Sequence, residues 1–196
     1  KSKHGDEKGT VMIQGFGCVG ASAAQKLVEM GYTIVGVSDA LGLVECQDGL
    51  DIAELLKHKN NFGEMDRSKF KPEYITKPNT DWLTVDCDIL IPAALEDVLR
   101  KDNAGDVKAS LIVEGANIAT TPEADEILRS KGVDIVVDFV ANLGAVRGYH
   151  SIIFGNLEHT GQAVLDDIED VCRVNTKKLF EYAEKENMSH RDAAFK

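Results

Sequence analysis

Apolar positions along the chain alternate between short continuous runs and stripes of helical period. Val11-Met12-Ile13 is the first run, closed by Gln14 and a glycine-rich stretch. Gly20, Ala23, Ala24, Leu27 and Val28 then recur at helical spacing, and Gly31 stands where a helix ends. Thr33-Ile34-Val35-Gly36-Val37-Ser38 predicts a second strand, closing at Asp39. Beyond it the pattern predicts a glycine-containing turn and a helix with Ile52, Leu55 and Leu56 on one side. Residues 60–81 are polar and broken by Pro72 and Pro78, which predicts surface loop with a short strand near Tyr74-Ile75-Thr76.

Three more apolar runs follow at βα spacing: Cys87–Ile91, Ser110–Val113 and Val133–Val137. Near-continuous apolar strands belong in a parallel sheet covered on both faces. A helix opens at Thr120-Thr121-Pro122-Glu123, where Thr can cap, Pro fits the first turn and Glu complements the dipole. It continues through Ala124, Ile127 and Leu128 to Gly132. From Gln162 to about Lys185 a long helix carries Leu165, Ile168, Cys172 and Leu179 on one stripe. The expected class is α/β: a doubly wound, mostly parallel sheet with C-terminal helices.

The link between the first strand and its helix carries the first chemistry. Gly15-Phe16-Gly17-Cys18-Val19-Gly20 is G-x-G-x-x-G placed between a strand and a helix. The first glycine permits a tight bend, the second lets the backbone approach phosphates, and the third lets the helix pack closely on the strand. Free N–H groups at the helix start then face an anion. Asp39, 19 residues beyond Gly20, stands where an acid accepts hydrogen bonds from an adenosine ribose. Strand, turn, helix, strand and acid make a Rossmann-like βαβ unit for a dinucleotide. Ala40, Leu41 and Gly42 supply no cation for a 2′-phosphate, so NAD is expected, with NADP possible. The plainer reading of Asp39 is a cap on the turn after it.

Composition narrows the partners. Lys and Arg total 22 against 33 acids, a net charge of −11, and no basic stripe forms, which argues against nucleic acid. Cys18, Cys46, Cys87 and Cys172 lie far apart without a C-x-x-C pair, so reduced thiols are expected, with no disulfide framework and no metal site. No apolar run reaches bilayer length and no signal peptide is visible, so no membrane partner is expected and the location is expected to be cytoplasmic. The start at Lys1 and the end at Phe195-Lys196 read as an excised part of a larger protein.

Three further segments sharpen the picture: Ile91-Pro92-Ala93-Ala94-Leu95-Glu96, Val113-Glu114-Gly115-Ala116-Asn117 with Thr120–Asp125, and Val140-Ala141-Asn142-Leu143-Gly144-Ala145-Val146. Each follows an expected strand, on the edge that lines the ligand crevice of an open α/β sheet. With Gln14-Gly15-Phe16-Gly17, they resemble the cofactor domain of the glutamate/leucine/phenylalanine/valine dehydrogenase family, from about Lys8 to the last residue. The resemblance implies NAD(P)-dependent, reversible oxidative deamination of an L-amino acid, glutamate foremost. It implies a dinucleotide-binding domain over 1–155 and a helical tail over 156–196. Substrate would be held by an upstream domain that also carries the catalytic lysines and aspartate, so no catalytic residue is expected in this chain. A homo-oligomer is expected for the full-length protein.

On this resemblance Gly15, Phe16, Gly17, Cys18 and Val19 surround the pyrophosphate, and Ala93 and Ala94 wall the adenosine side. Asn117 and Asn142 orient the nicotinamide ribose and carboxamide. Cys18 replaces the usual Asn; it is either a space-filling residue or a reactive thiol at a helix start. Gly144-Ala145 departs from the usual glycine pair, and Tyr149 stands where glutamate-specific members place a serine. Arg147, Tyr149 or His150 could meet a substrate carboxylate, or face solvent. The rival readings are a non-catalytic nucleotide sensor and a methyltransferase with a glycine turn for another adenosine ligand.

Overall fold

A computed structural model describes residues 8–155, 157–158 and 160–196. The expected first unit is present: β1 (Thr10–Gln14), α1 (Cys18–Glu29) and β2 (Thr33–Asp39). There follow β3 (Gly42–Glu45), α2 (Ile52–Lys57), β4 (Ile75–Lys77), β5 (Ile89–Pro92) and β6 (Leu111–Val113). The chain ends with α3 (Pro122–Ser130), β7 (Asp134–Val136), α4 (Asp138–Ala141), α5 (Gly144–Phe154), α6 (Gly161–Glu186) and α7 (His190–Ala194). The seven strands run in the order β4-β3-β2-β1-β5-β6-β7, a mostly parallel, Rossmann-like sheet.

Parallel pairing joins β2 to β1, β1 to β5 and β5 to β6. The order reverses at β1: β2 lies on one side and β5 on the other. That reversal opens the crevice in which such sheets bind ligands, beyond the carboxyl ends of the strands. β3 and β4 add antiparallel strands outside β2.

Three expectations are corrected. The segment after Asp39 is β3 rather than a bare turn; Leu43 and Val44 are wholly buried in it. No α-helix joins β5 to β6, where a short 3₁₀ turn at Ala104–Asp106 serves instead. Between β7 and Asn142 stands α4, so Asn142 follows a helix and not a strand.

The chain divides into two compact units, Lys1–Asp134 and Ile135–Lys196. In the first, Val11, Ile13, Ile34 and Val37 from the sheet pack with Ala21 and Ala24 of α1 and Ile52 and Leu55 of α2. Burying each aliphatic side chain contributes about 1.5–3 kcal/mol. α1 presents mainly small residues there: Gly20, Ala21 and Ala24 are its buried positions, and half-buried Leu27 packs beside them. In the second unit, Arg147 of α5 forks onto Asp167 of α6 at 2.6 and 2.7 Å, and Ser151 Oγ donates to the same carboxylate at 2.7 Å. These bonds hold the Asp167 carboxyl down at about 2.

Candidate functional site

The three glycines of the first turn each answer a steric demand. Gly15 has φ +95°, a left-handed value that favours glycine. A β-carbon there would stand 2.8 Å from Ala94 Cβ and 3.0 Å from Ala94 N, so the turn and the end of β5 touch. Its N–H donates to Ser38 O at 2.9 Å, tying the turn to the end of β2. A β-carbon on Gly17 would meet nothing within 4 Å, leaving the backbone open to a ligand. On Gly20 it would overlap the carbonyl oxygen of Gly15, so only glycine lets α1 begin this close to β1.

α1 starts without a side-chain cap and without an acid in its first turn. Its leading amides therefore keep their dipole for an incoming anion. Phe16 is buried beneath the turn, while Cys18 and Val19 are exposed.

The far wall comes from β5 and β6. Ala93 N–H donates to Gln14 O at 2.8 Å, and the amides of Gly115 and Ala116 both donate to Pro92 O at 2.9 Å. A β-carbon on Gly115 would lie 3.3 Å from Ala93 Cβ and 3.4 Å from Val19 Cγ1. The ends of β1, β5 and β6 and the start of α1 thus meet at one edge. Ala93 is half-buried, and Ala94 and Asn117 are exposed there. Asn142 belongs to the second unit, where it caps α4 and its N–H donates to Asp138 O at 2.7 Å.

At the end of β2, Asp39 has five donors on its carboxylate. Oδ1 accepts from Leu41 N (2.8 Å), Gly42 N (3.1 Å) and Arg67 Nη2 (2.5 Å). Oδ2 accepts from Met65 N (2.8 Å) and Arg67 Nη1 (2.5 Å). The turn-capping reading of Asp39 therefore holds alongside any other role. Burial pushes this carboxyl upward, but the bonds from Arg67, Met65 and Leu41 outweigh it and hold it below the usual carboxylate range.

Arg67 is the residue that the sequence reading missed. It arrives from 28 positions downstream on a 3₁₀ turn, Arg67–Lys69, and no local signal marks it. The segment before it is held by Asn60, whose Oδ1 accepts from Phe62 N and Glu64 N. Gly63, with φ +87°, is buried against the glycine turn: a β-carbon there would lie 2.9 Å from both Gly17 N and Phe16 O.

In the second unit, Arg147 is engaged by Asp167, whereas Tyr149 and His150 are exposed, the latter 5.6 Å from the Phe154 ring. Among the described residues no cluster of His, Cys, Asp and Glu could hold a metal, and no helix is long and apolar enough to cross a membrane.

The site residues fit a dinucleotide at the glycine turn, where an open cradle and uncapped amides meet. They fit a ribose diol less simply at Asp39, whose lone pairs are taken. The chain is 47% identical over 144 residues to an NADP-specific glutamate dehydrogenase of Saccharolobus shibatae, covering 74% of this chain and 33% of that protein. It is 44% identical over 140 residues to an NAD-specific glutamate dehydrogenase of Staphylococcus aureus, covering 71% and 33%. The matched part is thus about a third of the length of these curated relatives. Its fold superposes on a hetero-hexameric glutamate dehydrogenase of Thermus thermophilus with a TM-score of 0.80 and 25% identity, over 96% of this chain and 44% of that one. The profile of the glutamate/leucine/phenylalanine/valine dehydrogenases matches residues 1–196, and the chain belongs to that family.

Proposed function

We propose that this chain is the nucleotide-binding part of an NAD(P)-dependent amino-acid dehydrogenase, which reversibly deaminates an L-amino acid to a 2-oxo acid and ammonia. The observation that carries it is the glycine triplet at the strand-order reversal. There an open backbone, uncapped helix amides and the end of β5 meet at one edge. That the relatives are named glutamate dehydrogenases supports glutamate as the substrate. The family match runs through the whole chain, which disfavours a free-standing sensor.

On this reading Gly15 to Val19 surround the pyrophosphate, the free amides at the start of α1 donate to it, and Phe16 braces the turn from below. Ala93 and Ala94 give the adenosine a close, flat wall, and Asp39 marks the ribose edge. Asn117, just beyond β6, orients the nicotinamide half. When bound, the cofactor supplies a hydride acceptor for the substrate carbon. Proton transfer needs groups on a facing wall, and we assign those to a substrate domain outside this chain. Residues 1–155 then form the cofactor domain and 156–196 its helical tail, in a cytoplasmic homo-oligomer.

Thermal unfolding with added nucleotide tests this. A ligand that binds only the folded state stabilises by about 2.7 kcal/mol at a hundred times its Kd. NAD or NADP should raise the midpoint, and Gly15→Ala should abolish the rise. Stabilisation by S-adenosylmethionine and by neither nicotinamide nucleotide would overturn the assignment in favour of a methyltransferase.

A further inference from the structure

A carboxylate at the end of the second strand ordinarily favours NAD twice over. It accepts from the ribose diol, and its charge repels a 2′-phosphate. Asp39 has lost both means. Its two oxygens offer about four lone-pair positions and already meet five N–H donors. Its side chain is 2% exposed, against 26% for that of Arg67.

Arg67 is built into the place and is no passing surface cation. Nη1 donates to Asp39 Oδ2 and, at 2.8 Å, to Met65 O. Nη2 donates to Asp39 Oδ1 and, at 3.2 Å, to Gly42 O. The guanidinium also stands over the Phe70 ring, 5.6 Å from its centroid. All four Nη hydrogens are committed, which fixes the fork and cancels the charge of Asp39. The pair carries little net charge, and the guanidinium is its more open member.

We propose that Arg67 is the specificity-determining residue of the adenosine-ribose subsite. By saturating and neutralising Asp39, it admits the 2′-phosphate of NADP beside the plain ribose of NAD. This rests on the dinucleotide reading of the crevice given above. This accords with the sequence expectation of NAD with NADP possible, and adds a cation that the residues adjoining Asp39 do not supply.

The test is calorimetry of the full chain with NAD and with NADP, read as the ratio of the two Kd values. The wild-type chain binds both. Arg67→Met restores an anion with one vacant lone-pair position, and NADP should weaken relative to NAD by about tenfold or more, as expected for one unit charge uncovered within several ångströms. Asp39→Asn keeps the cation and removes the anion, so the ratio should move the opposite way. A purely structural pair would lower the melting temperature in both variants without moving the ratio in opposite directions. A ratio in Arg67→Met within about twofold of wild type, with NAD still bound, overturns this assignment and leaves the dinucleotide reading standing. Should Arg67→Met fail to fold, Asp39→Asn decides, and a ratio unmoved or shifted toward NAD overturns it. Absence of heat with either nucleotide in the wild-type chain overturns both readings.

Discussion

The two units solve the problem of cohesion differently. The first buries its strands: Val11, Met12, Ile13, Val35 and Val37 have no exposed surface, and α1 and α2 pack over Val11, Ile13 and Val37. The second has a 26-residue helix, α6, in which only Leu179 and Ala183 are buried. Val146, Ile152, Phe154 and Leu165 stay exposed, and α5 and α6 are joined instead by the polar fork of Arg147, Asp167 and Ser151. A sheet core is steep: removing a methyl group leaves a hole that close-packed neighbours cannot fill. A charged clamp between partly solvated helices is shallow, because water competes for both partners. The site of the first unit is therefore the better protected against change in its surroundings and the less tolerant of change in its own residues.

The contrast should break most sharply at Gly20→Ala. The added carbon overlaps the Gly15 carbonyl, so α1 must move away from β1. A loss of at least about 3 kcal/mol is expected in urea unfolding, at the upper end of overpacking costs, together with loss of nucleotide binding. Next comes Ile13→Ala, which opens a cavity in the wholly buried core and should cost about 2–5 kcal/mol. Leu165→Ala, at a side chain that is 61% exposed, should shift stability by no more than about 0.5 kcal/mol. Similar losses for these two would erase the distinction between the units.

The smallest effect expected is one of pH. Asp167 has an ordinary value of 3.8 and a folded value of about 2. Its contribution to the α5–α6 contact is fully present above the ordinary value and fades as pH falls toward the folded one. Hydrogen exchange in α5 should therefore speed up on acidification through that window in the wild-type chain and be faster already at neutral pH in Arg147→Ala. Asp39 shifts in the same direction, so the loop around Met65 should also loosen only on acidification. Exchange in α5 that speeds up on raising the pH beyond its intrinsic dependence would reverse the sign and remove the clamp from the account.

Much of the sheet could be read from residues alone because its strands are continuous apolar runs between glycines. β1, α1 and β2 follow their patterns nearly to the residue, and α6 follows its expected bounds, although only Leu179 of its stripe is buried. β3 escaped notice for a physical reason. It offers only Leu43 and Val44 as apolar signal, and its Glu45 is buried by an ion pair with Lys77 across the strand from β4. Such a pairing is created by tertiary structure and leaves no periodic trace. The same holds for Arg67, whose partner is distant in sequence, and for the β5–β6 link, whose length suggested a helix that its residues do not form. Local order was legible; long-range charge pairing was not.

The buried glycine at position 63 has an implication for engineering. Segments that lie outside strands and helices usually accept new residues freely, and so invite grafting when nucleotide preference is to be altered. Here the backbone of that segment rests on the amide of Gly17 itself. A transplanted sequence with any larger residue at its tip would be levered outward, carrying Met65 and Arg67 with it. Redesign of this surface is thus confined to the positions flanking Gly63, of which the outward-standing Phe62 is the most permissive.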